Sequence, residues 1–443
     1  MARHDLTIGD EKRLLKTLTI PMIFGVLGLV AFNLADTYFV GRLGTTQMAA
    51  LTFTFPVVLV LNSLNLGLGV GASAVISKAV GEKNHEKIKR LSSDSLTLGV
   101  TFAIIAIIIG LMTIEPVFRR LGADDSVMPY IRDYMSIWYL GVPFVVIPMI
   151  GNNIIRALGD TKTPSIVMLI AAIGNIILDP LLIFGIWIFP EMGVKGAALA
   201  TVFSRSITFS VGLYVLIIRE KVVTPKVIHI KTLLNSWKEI LFIGLPNAIA
   251  RMILPIGLGI ITGLISNYGH EAVAGYGIAT RIEYFALAIV QALSAIIPVY
   301  VGQNFGAKKI DRIRTGLRIS QRFSLLYGLS AYVLLFITAP LLASLFTKQT
   351  EVSSVIVLYL RVVPLGYGLQ GVILIIVGAL NALRHPLQAA LLNLVQMLII
   401  YVPLALLLSS IMDIKGIFIA LVISFGITGL FANFVLNKNL KYK

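Results

Sequence analysis

Three carboxylic acids lie within long apolar runs of this sequence, where an ionised side chain is costly and usually serves a function. Asp36 lies in the first run, Asp179 in the fifth, and Glu283 about a third of the way into the eighth. Asn33 precedes Asp36 by three residues, and Asn175 precedes Asp179 by four. Each amide therefore shares a helix face with its aspartate, and the two pairs are candidates for one polar site.

Two more polar side chains could complete this site. Thr201 lies in the sixth apolar run, and Asn152 lies near the end of the fourth. Carboxylates, amides and a hydroxyl together could hold a proton, because two neighbouring carboxylates resist being ionised at the same time. They could equally bind a small hard cation such as Na⁺, and the ligands that we predict for it are Asp36, Asn175, Asp179 and Thr201. The sequence leaves H⁺ and Na⁺ both open.

A static ion pair is the alternative explanation for each acid. Arg205 lies one turn beyond Thr201 on the same helix face, where it could neutralise an aspartate or support a substrate cavity. Arg251 or Arg281 could do the same for Glu283. Because a static ion pair is a stronger alternative for Glu283 than for the aspartates, we regard Glu283 as a secondary candidate, in the second half of the chain.

Two prolines could allow helices to bend near the aspartates. Pro21 leaves the carbonyl of Thr17 without its helical donor, and Pro180 does the same for the carbonyl of Ile176. Pro180 directly follows Asp179. Both prolines are therefore candidate hinges, although many proline kinks are fixed bends.

The elements that position these residues are membrane-spanning helices. Of the 443 residues, 57% are hydrophobic and only 13% are charged, too few charges to cover a water-facing surface of this size. A bilayer core needs about 20 apolar residues per helix. We predict an all-α integral membrane protein whose twelve spans are 16–40, 51–77, 93–114, 131–155, 163–188, 194–218, 240–265, 273–302, 319–345, 353–380, 387–410 and 416–436.

The distribution of the basic residues predicts how the chain is oriented. The net charge is +16. With the N-terminus placed inside, 26 Lys and Arg residues fall on the inner side and eight on the outer side. This bias predicts that both termini are cytoplasmic in a multi-pass protein of the plasma (inner) membrane.

The two halves of the sequence resemble each other. Residues 81–89 match residues 306–314, and residues 40–49 match residues 265–274, both at an offset of 225. Residues 157–164 match residues 379–386 at an offset of 222. We predict two pseudo-symmetric six-helix lobes, 1–218 and 239–443, joined by a cytoplasmic linker at 219–238. Such a parallel repeat favours rocking of the lobes for alternating access.

The repeat does not extend to the aspartates. The counterpart of Asp36 is Ile261, and the counterpart of Asp179 is near Tyr401. The scaffold is therefore shared between the halves, whereas the aspartates are confined to the first. A purely architectural need would more plausibly appear in both halves.

Several classes of function are not supported by the sequence. The basic residues lie in short loops instead of forming a stripe, which argues against nucleic-acid binding. The chain has no cysteine, its five histidines show no metal spacing, and it lacks hydrolase, zinc-protease and nucleotide-binding motifs. We therefore predict a protein that is not an enzyme and needs no cofactor, and any pumping by it must be driven by an ion gradient.

In these residues the chain resembles the multidrug and toxic compound extrusion (MATE) family. The resemblance covers nearly the whole chain and rests on Ala35-Asp-Thr-Tyr-Phe-Val-Gly41, Arg156-Ala-Leu-Gly-Asp160 and Gly174-Asn-Ile-Ile-Leu-Asp-Pro180. It is most similar to the DinF-type branch, which implies coupling residues at Asp36, Asn175, Asp179 and Thr201 and a bending helix at Pro21. The NorM-type branch instead places acids of a cation site in spans seven and ten. This sequence departs from that pattern, because it has Leu254 near the expected place in span seven and no carboxylate in span ten.

The resemblance implies efflux of organic, often cationic drugs in exchange for H⁺ or Na⁺. We expect a monomer in the lipid bilayer. The alternative is a flippase for a lipid-linked oligosaccharide, because related superfamilies share two six-span lobes. That function would favour more cations in the central cavity, where this sequence offers only Arg205 and Arg251.

Overall fold

Long apolar segments fold as helices in lipid because every backbone N–H and C=O must be satisfied within the segment. The computed structural model describes residues 5–223 and 229–441, except the side chains of Asn33, Thr37, Thr45, Met48 and Ala49. Over these ranges the regular structure is helical. The α-helices are α1 (Glu11–Gly41), α2 (Thr45–Gly81), α3 (His85–Arg120), α4 (Met128–Ala157), α5 (Lys162–Phe184), α6 (Val194–Tyr214), α7 (Ile230–Ser266), α8 (His270–Gly306), α9 (Ile310–Phe346), α10 (Thr350–Val362), α11 (Tyr367–Ala382), α12 (Pro386–Leu394) and α13 (Val402–Lys441).

Three short segments of other helix types continue these helices. The π-helix Val215–Arg219 extends α6, the 3₁₀ turn Val363–Gly366 joins α10 to α11, and the π-helix Val395–Tyr401 joins α12 to α13. With these joins, eleven helices in the described part of the chain are long and apolar enough to cross a membrane. The last of them, Pro386–Lys441, covers the final two predicted spans and is broken at Met412 and Asp413. All twelve predicted spans are therefore helical.

The residues group into two compact units. The first contains residues 20–248, and the second contains residues 6–19 and 249–441. The chain changes unit within α1 at Ile20, next to Pro21, and again within α7. The predicted lobes, 1–218 and 239–443 around the linker 219–238, stay a prediction, and residues 224–228 of that linker lie outside the described residues.

Loop residues at corresponding positions of the sequence repeat have the same backbone conformation. Lys83 and Lys308, which match at the offset of 225, both have a left-handed backbone, with φ values of 56° and 58°. Gly44 and Gly269 also match at this offset and have φ values of 130° and 100°. Because L-residues rarely adopt a positive φ, this agreement at corresponding positions supports a true internal repeat.

Residues 6 and 7 pack against the end of α8 within the second unit. The Leu6 side chain is fully buried. The Leu6 N–H donates to the Gln303 side-chain oxygen at 3.2 Å, and the Asn304 amide donates to the Leu6 carbonyl at 3.1 Å. Lys309 donates to the carbonyl of Thr7 at 2.7 Å. Hydrogen bonds thus hold residues 6 and 7 to the end of α8 and to Lys309, which directly precedes α9.

In the first unit, Asp160 holds the loop between α4 and α5 to the end of the sixth span. Its carboxylate accepts hydrogen bonds from the Thr163 N–H at 2.9 Å, the Thr163 hydroxyl at 2.6 Å and Arg219 at 2.6 Å. Gly159, with φ of 90°, supplies the left-handed turn before it. The segment Arg156–Asp160 is thus a structural joint. Burial raises the pKa of Asp160, but these hydrogen bonds and the Arg219 charge outweigh it and hold the pKa below its ordinary value.

We expect Asp160→Asn to lower the free energy of unfolding by about 1–3 kcal/mol at neutral pH, because a charge-assisted hydrogen bond is lost. Since the folded-state pKa lies below the unfolded-state value, this stabilisation is present above the unfolded-state pKa and disappears as the pH falls through the folded-state pKa. Thermal unfolding in detergent should therefore show the two proteins converging in acid. Asp311→Asn, at a surface ion pair with Arg314, is the matched control and should change little. A deficit that persists in acid would contradict the assigned role of the charge.

Candidate functional site

Close packing of α1 against α5 brings the two aspartate-bearing helices together. A methyl group added at Gly25 would lie 3.2 Å from the Cα atom of Ser165, and one at Gly28 would lie 3.1 Å from the Leu169 side chain. The hydroxyl of Ser165 also contacts the sulfur of Met22 at 3.4 Å. Small residues permit this close approach of helices within a membrane.

Asp179 and Asn175 form a buried pair on α5. Both side chains are fully buried. The Asn175 amide nitrogen donates to one Asp179 carboxylate oxygen at 3.2 Å. The other Asp179 oxygen and the Asn175 carbonyl oxygen are buried and have no hydrogen-bond partner among the described residues. Two buried acceptor oxygens without donors fit a bound proton or a cation, because unsatisfied buried acceptors are costly.

Asp36 on α1 completes an acid pair with Asp179. Its side chain is half-buried, and its carboxylate lies close enough to Asp179 for the two to interact electrostatically. Both carboxylates also interact electrostatically with the hydroxyl of Tyr134 on α4. The first unit therefore brings three helices, α1, α4 and α5, to one acidic site.

Tyr134 is the residue of this site that the sequence analysis missed. It lies in the first turns of α4 beside Asp133 and Arg132, and charged neighbours of this kind are typical of the end of a span. Its match at the offset of 225 is Tyr359, another tyrosine inside an apolar run. A tyrosine at the same position of both halves is the signal that could have indicated it.

The other predicted polar residues are placed differently. The Thr201 side chain is half-buried on α6, and among the described residues it has no hydrogen bond to Asp36, Asn175 or Asp179. Asn152 is buried on α4, with a side-chain oxygen that has no partner in the described part of the chain. The side chain of Asn33 lies outside the described residues.

Arg205 lines a small cavity in the first unit instead of pairing with an acid. Its guanidinium lies 5.4 Å from the ring centre of Phe32 on α1, a cation–π contact. Leu29, Met168 and Ser204 line the same cavity. Arg205 has no ion pair with either aspartate, or with any other carboxylate whose position is described.

The two candidate hinge prolines lie within continuous helices. Pro21 lies inside α1 and Pro180 inside α5. Pro180 is separated by only four residues from the helix end, which Gly185 closes with a left-handed conformation and φ of 68°. Bending at Pro21 and at Pro180 stays a prediction.

Glu283 has a tyrosine partner in the second unit. The hydroxyl of Tyr359 on α10 donates a hydrogen bond to its carboxylate. Neither Arg251 nor Arg281 forms an ion pair with it in the described part of the chain; both are exposed. The static ion pair that the sequence offered as the alternative is therefore not formed.

A helical membrane protein with buried acids and two related halves has the form of an ion-driven transporter. The MatE family model matches residues 21–181 and again residues 246–407, so it matches once in each half. The chain therefore belongs to the MATE family, as the sequence motifs predicted.

Known members of the family share the fold over nearly the full length of the chain. A Shewanella oneidensis FAD transporter is 37% identical and covers 95% of this chain and 93% of its own. The Staphylococcus haemolyticus multidrug export protein MepA is 26% identical, with 98% and 96% covered. The Vibrio cholerae MATE transporter VcmN in the bent form is 29% identical, with a TM-score of 0.91 and coverage of 98% and 97%.

These relationships confirm the predicted fold class, an all-α membrane protein with twelve helices in two lobes. They also confirm that the protein is a transporter and not an enzyme. Family members sit in membranes, handle small molecules and are driven by ion gradients without a cofactor.

Proposed function

We propose that this protein is a secondary antiporter that exports organic compounds in exchange for H⁺ or Na⁺ bound at Asp36 and Asp179. The observation that carries the proposal is the buried Asp179–Asn175 pair next to a second carboxylate, since two acceptor oxygens of this pair lack donors among the described residues. Such a pair gains most from a bound cation, because two carboxylates in a low-dielectric site repel each other.

The bound cation drives the cycle by changing the charge of the site. In the outward-facing state, H⁺ or Na⁺ binds at Asp36 and Asp179 and rearranges their hydrogen bonds with Asn175 and Thr201. The helix α1 then bends near Pro21, the cavity of the first lobe shrinks, and the exported compound is displaced. This scheme is the one that similarity to the DinF-type branch implies.

The exported compounds that we propose first are organic, often cationic drugs, as the name of the multidrug export relative suggests. A specific observation favours a second candidate, a flavin dinucleotide. The 37% identical relative is named an FAD transporter, and Arg205 presents a guanidinium that has no carboxylate partner in the described part of the chain beside the aromatic face of Phe32. A guanidinium and a ring suit a phosphate and a flat heterocycle. No comparable feature favours the lipid-linked oligosaccharide flippase.

The proposal includes the setting of the protein in the cell. We place it in the plasma (inner) membrane as a monomer with both termini in the cytoplasm, because Lys and Arg predominate in the loops on that side. Its two lobes, 1–218 and 239–443, rock about the linker at 219–238 for alternating access.

Transport by the purified protein in liposomes tests this proposal. A pH gradient and a Na⁺ gradient are imposed separately, and movement of ethidium or FAD is followed against empty liposomes. We expect one of the two gradients to drive uphill transport of at least one compound, which identifies both the coupling ion and the substrate class. Transport that merely dissipates a substrate gradient under both conditions would contradict antiport.

A further inference from the structure

The second unit contains a carboxylate surrounded by tyrosines. Glu283 on α8 accepts a hydrogen bond from the hydroxyl of Tyr359 on α10. Its carboxylate also lies within electrostatic range of four more tyrosines from α8, from α11 and from the π-helix before α13. These are Tyr276, Tyr284, Tyr367 and Tyr401.

Aromatic rings pack against one another in this cluster. Tyr276 and Tyr359 contact each other with ring centres 5.8 Å apart, and both pack on Phe418 of α13, at 6.5 and 4.9 Å. Tyr359, Tyr367 and Tyr401 are almost completely buried. Glu283 itself is half-buried beside this packing.

The cluster holds no basic side chain to balance the carboxylate. Among the described residues, Glu283 has no ion pair, and the titratable groups that interact electrostatically with its carboxylate are all tyrosines. An ionised carboxylate without a counter-charge is costly at such a site. Tyr367 adds a buried hydroxyl that lacks a hydrogen-bond partner in the described part of the chain. The charge balance at Glu283 therefore favours a bound cation.

The repeat places this cluster at the position that corresponds to the acid site of the first unit. Tyr134, which interacts with Asp36 and Asp179, matches Tyr359 at the offset of 225. Asp179 corresponds to Tyr401 at the offset of 222, and Tyr401 interacts electrostatically with Glu283. Each half thus sets a tyrosine of its fourth span against a buried acid, although the acids come from different helices.

We propose that Glu283 and Tyr359 form a second proton-binding site, distinct from the site at Asp36 and Asp179. The proton is the ligand because a single carboxylate can take up H⁺ by itself, whereas Na⁺ needs several strong oxygen ligands and none of the described groups that interact with Glu283 is a second carboxylate. The inference rests on the proposed antiport. It implies that each cycle exchanges one proton more than the first unit alone could bind.

The test is the coupling stoichiometry of the purified protein in liposomes. The substrate gradient that stops net flux is measured at a series of imposed pH gradients. We expect Glu283→Gln to keep transport but to exchange one proton fewer per substrate, and Tyr359→Phe to shift the pH dependence with the stoichiometry unchanged. Glu271→Gln, at an exposed acid on the same helix, should change neither.

The outcomes separate this inference from the proposed function. A wild-type protein that responds to neither gradient would overturn antiport itself. If protons drive the wild type and Glu283→Gln exchanges the same number of protons per substrate, only the second site is overturned. The same conclusion follows if Glu283→Gln exchanges one Na⁺ fewer instead of one proton fewer. Should Glu283→Gln fail to transport, infrared difference spectra after a pH jump in detergent decide. The protonated-carboxyl band of Glu283 should be missing in the variant, and its persistence would contradict the proposal.

Discussion

Asp179→Asn should reduce gradient-driven export to the level of empty liposomes while the protein folds normally. The asparagine keeps the size of the side chain and can still accept the hydrogen bond of Asn175, but it cannot take up and release a charge. Asp36→Asn should have the same effect, because Asp36 and Asp179 interact electrostatically as one site. Dye efflux from cells and uptake into liposomes at matched expression measure both variants.

The control is a conservative exchange at an acid outside the site. Asp125→Asn alters a largely exposed loop carboxylate, paired only with Arg119 on the surface, and should leave export unchanged. Binding of the substrate to the purified Asp179→Asn protein should survive, since the proposed loss concerns coupling. Full export by both Asp36→Asn and Asp179→Asn, at wild-type expression, would refute the coupling role of the first unit.

The helices could be predicted because their signal is simple. Apolar runs of bilayer length, separated by Lys and Arg, indicate spans without reference to tertiary structure. The details at their ends depend on packing, so the predicted run 353–380 did not reveal the 3₁₀ turn Val363–Gly366 between α10 and α11. Nor could hydropathy reveal that residues 6–19 belong to the second unit, because buried hydrogen bonds such as that between Leu6 and Gln303 hold them there.

The acids were easier to find than their partners. A carboxylate in an apolar run is conspicuous, and the spacing of Asn175 and Asp179 predicted a shared helix face, on which the structure places a hydrogen bond between them. A tyrosine in such a run is not conspicuous, since aromatic residues are common in membrane helices. Tyr134 and Tyr359 therefore acquire meaning only when the fold brings them next to carboxylates. The aspartates are confined to the first half, but the second half places its own acid, Glu283, among tyrosines, and one of these, Tyr401, is the counterpart of Asp179.

Glycines of α2 allow two other helices of the first unit to approach it closely. A Cβ atom at Gly67 would lie 2.4 Å from the carbonyl oxygen of Gly244, and one at Gly71 would lie 2.3 Å from that of Ile240. These obstacles belong to the backbone of α7. Gly69, on another face, meets the Asn153 side chain of α4 at 2.4 Å. The run of alternating glycines at 67–71 is thus a packing surface, consistent with its position inside a helix and not after a strand.

Gly71→Leu should prevent the first unit from folding, because no side-chain rotation can relieve a clash with the Ile240 carbonyl. We expect a cost above about 3 kcal/mol, more than a usual overpacked core, and loss of the monodisperse peak in size-exclusion chromatography after detergent extraction. Gly263→Leu in α7 is the matched control, since a Cβ atom there meets no neighbour within 4 Å. It should yield folded, heat-stable protein. If Gly71→Leu melted with Gly263→Leu, α2 and α7 could separate freely, and their contact would not contribute to the stability of the unit.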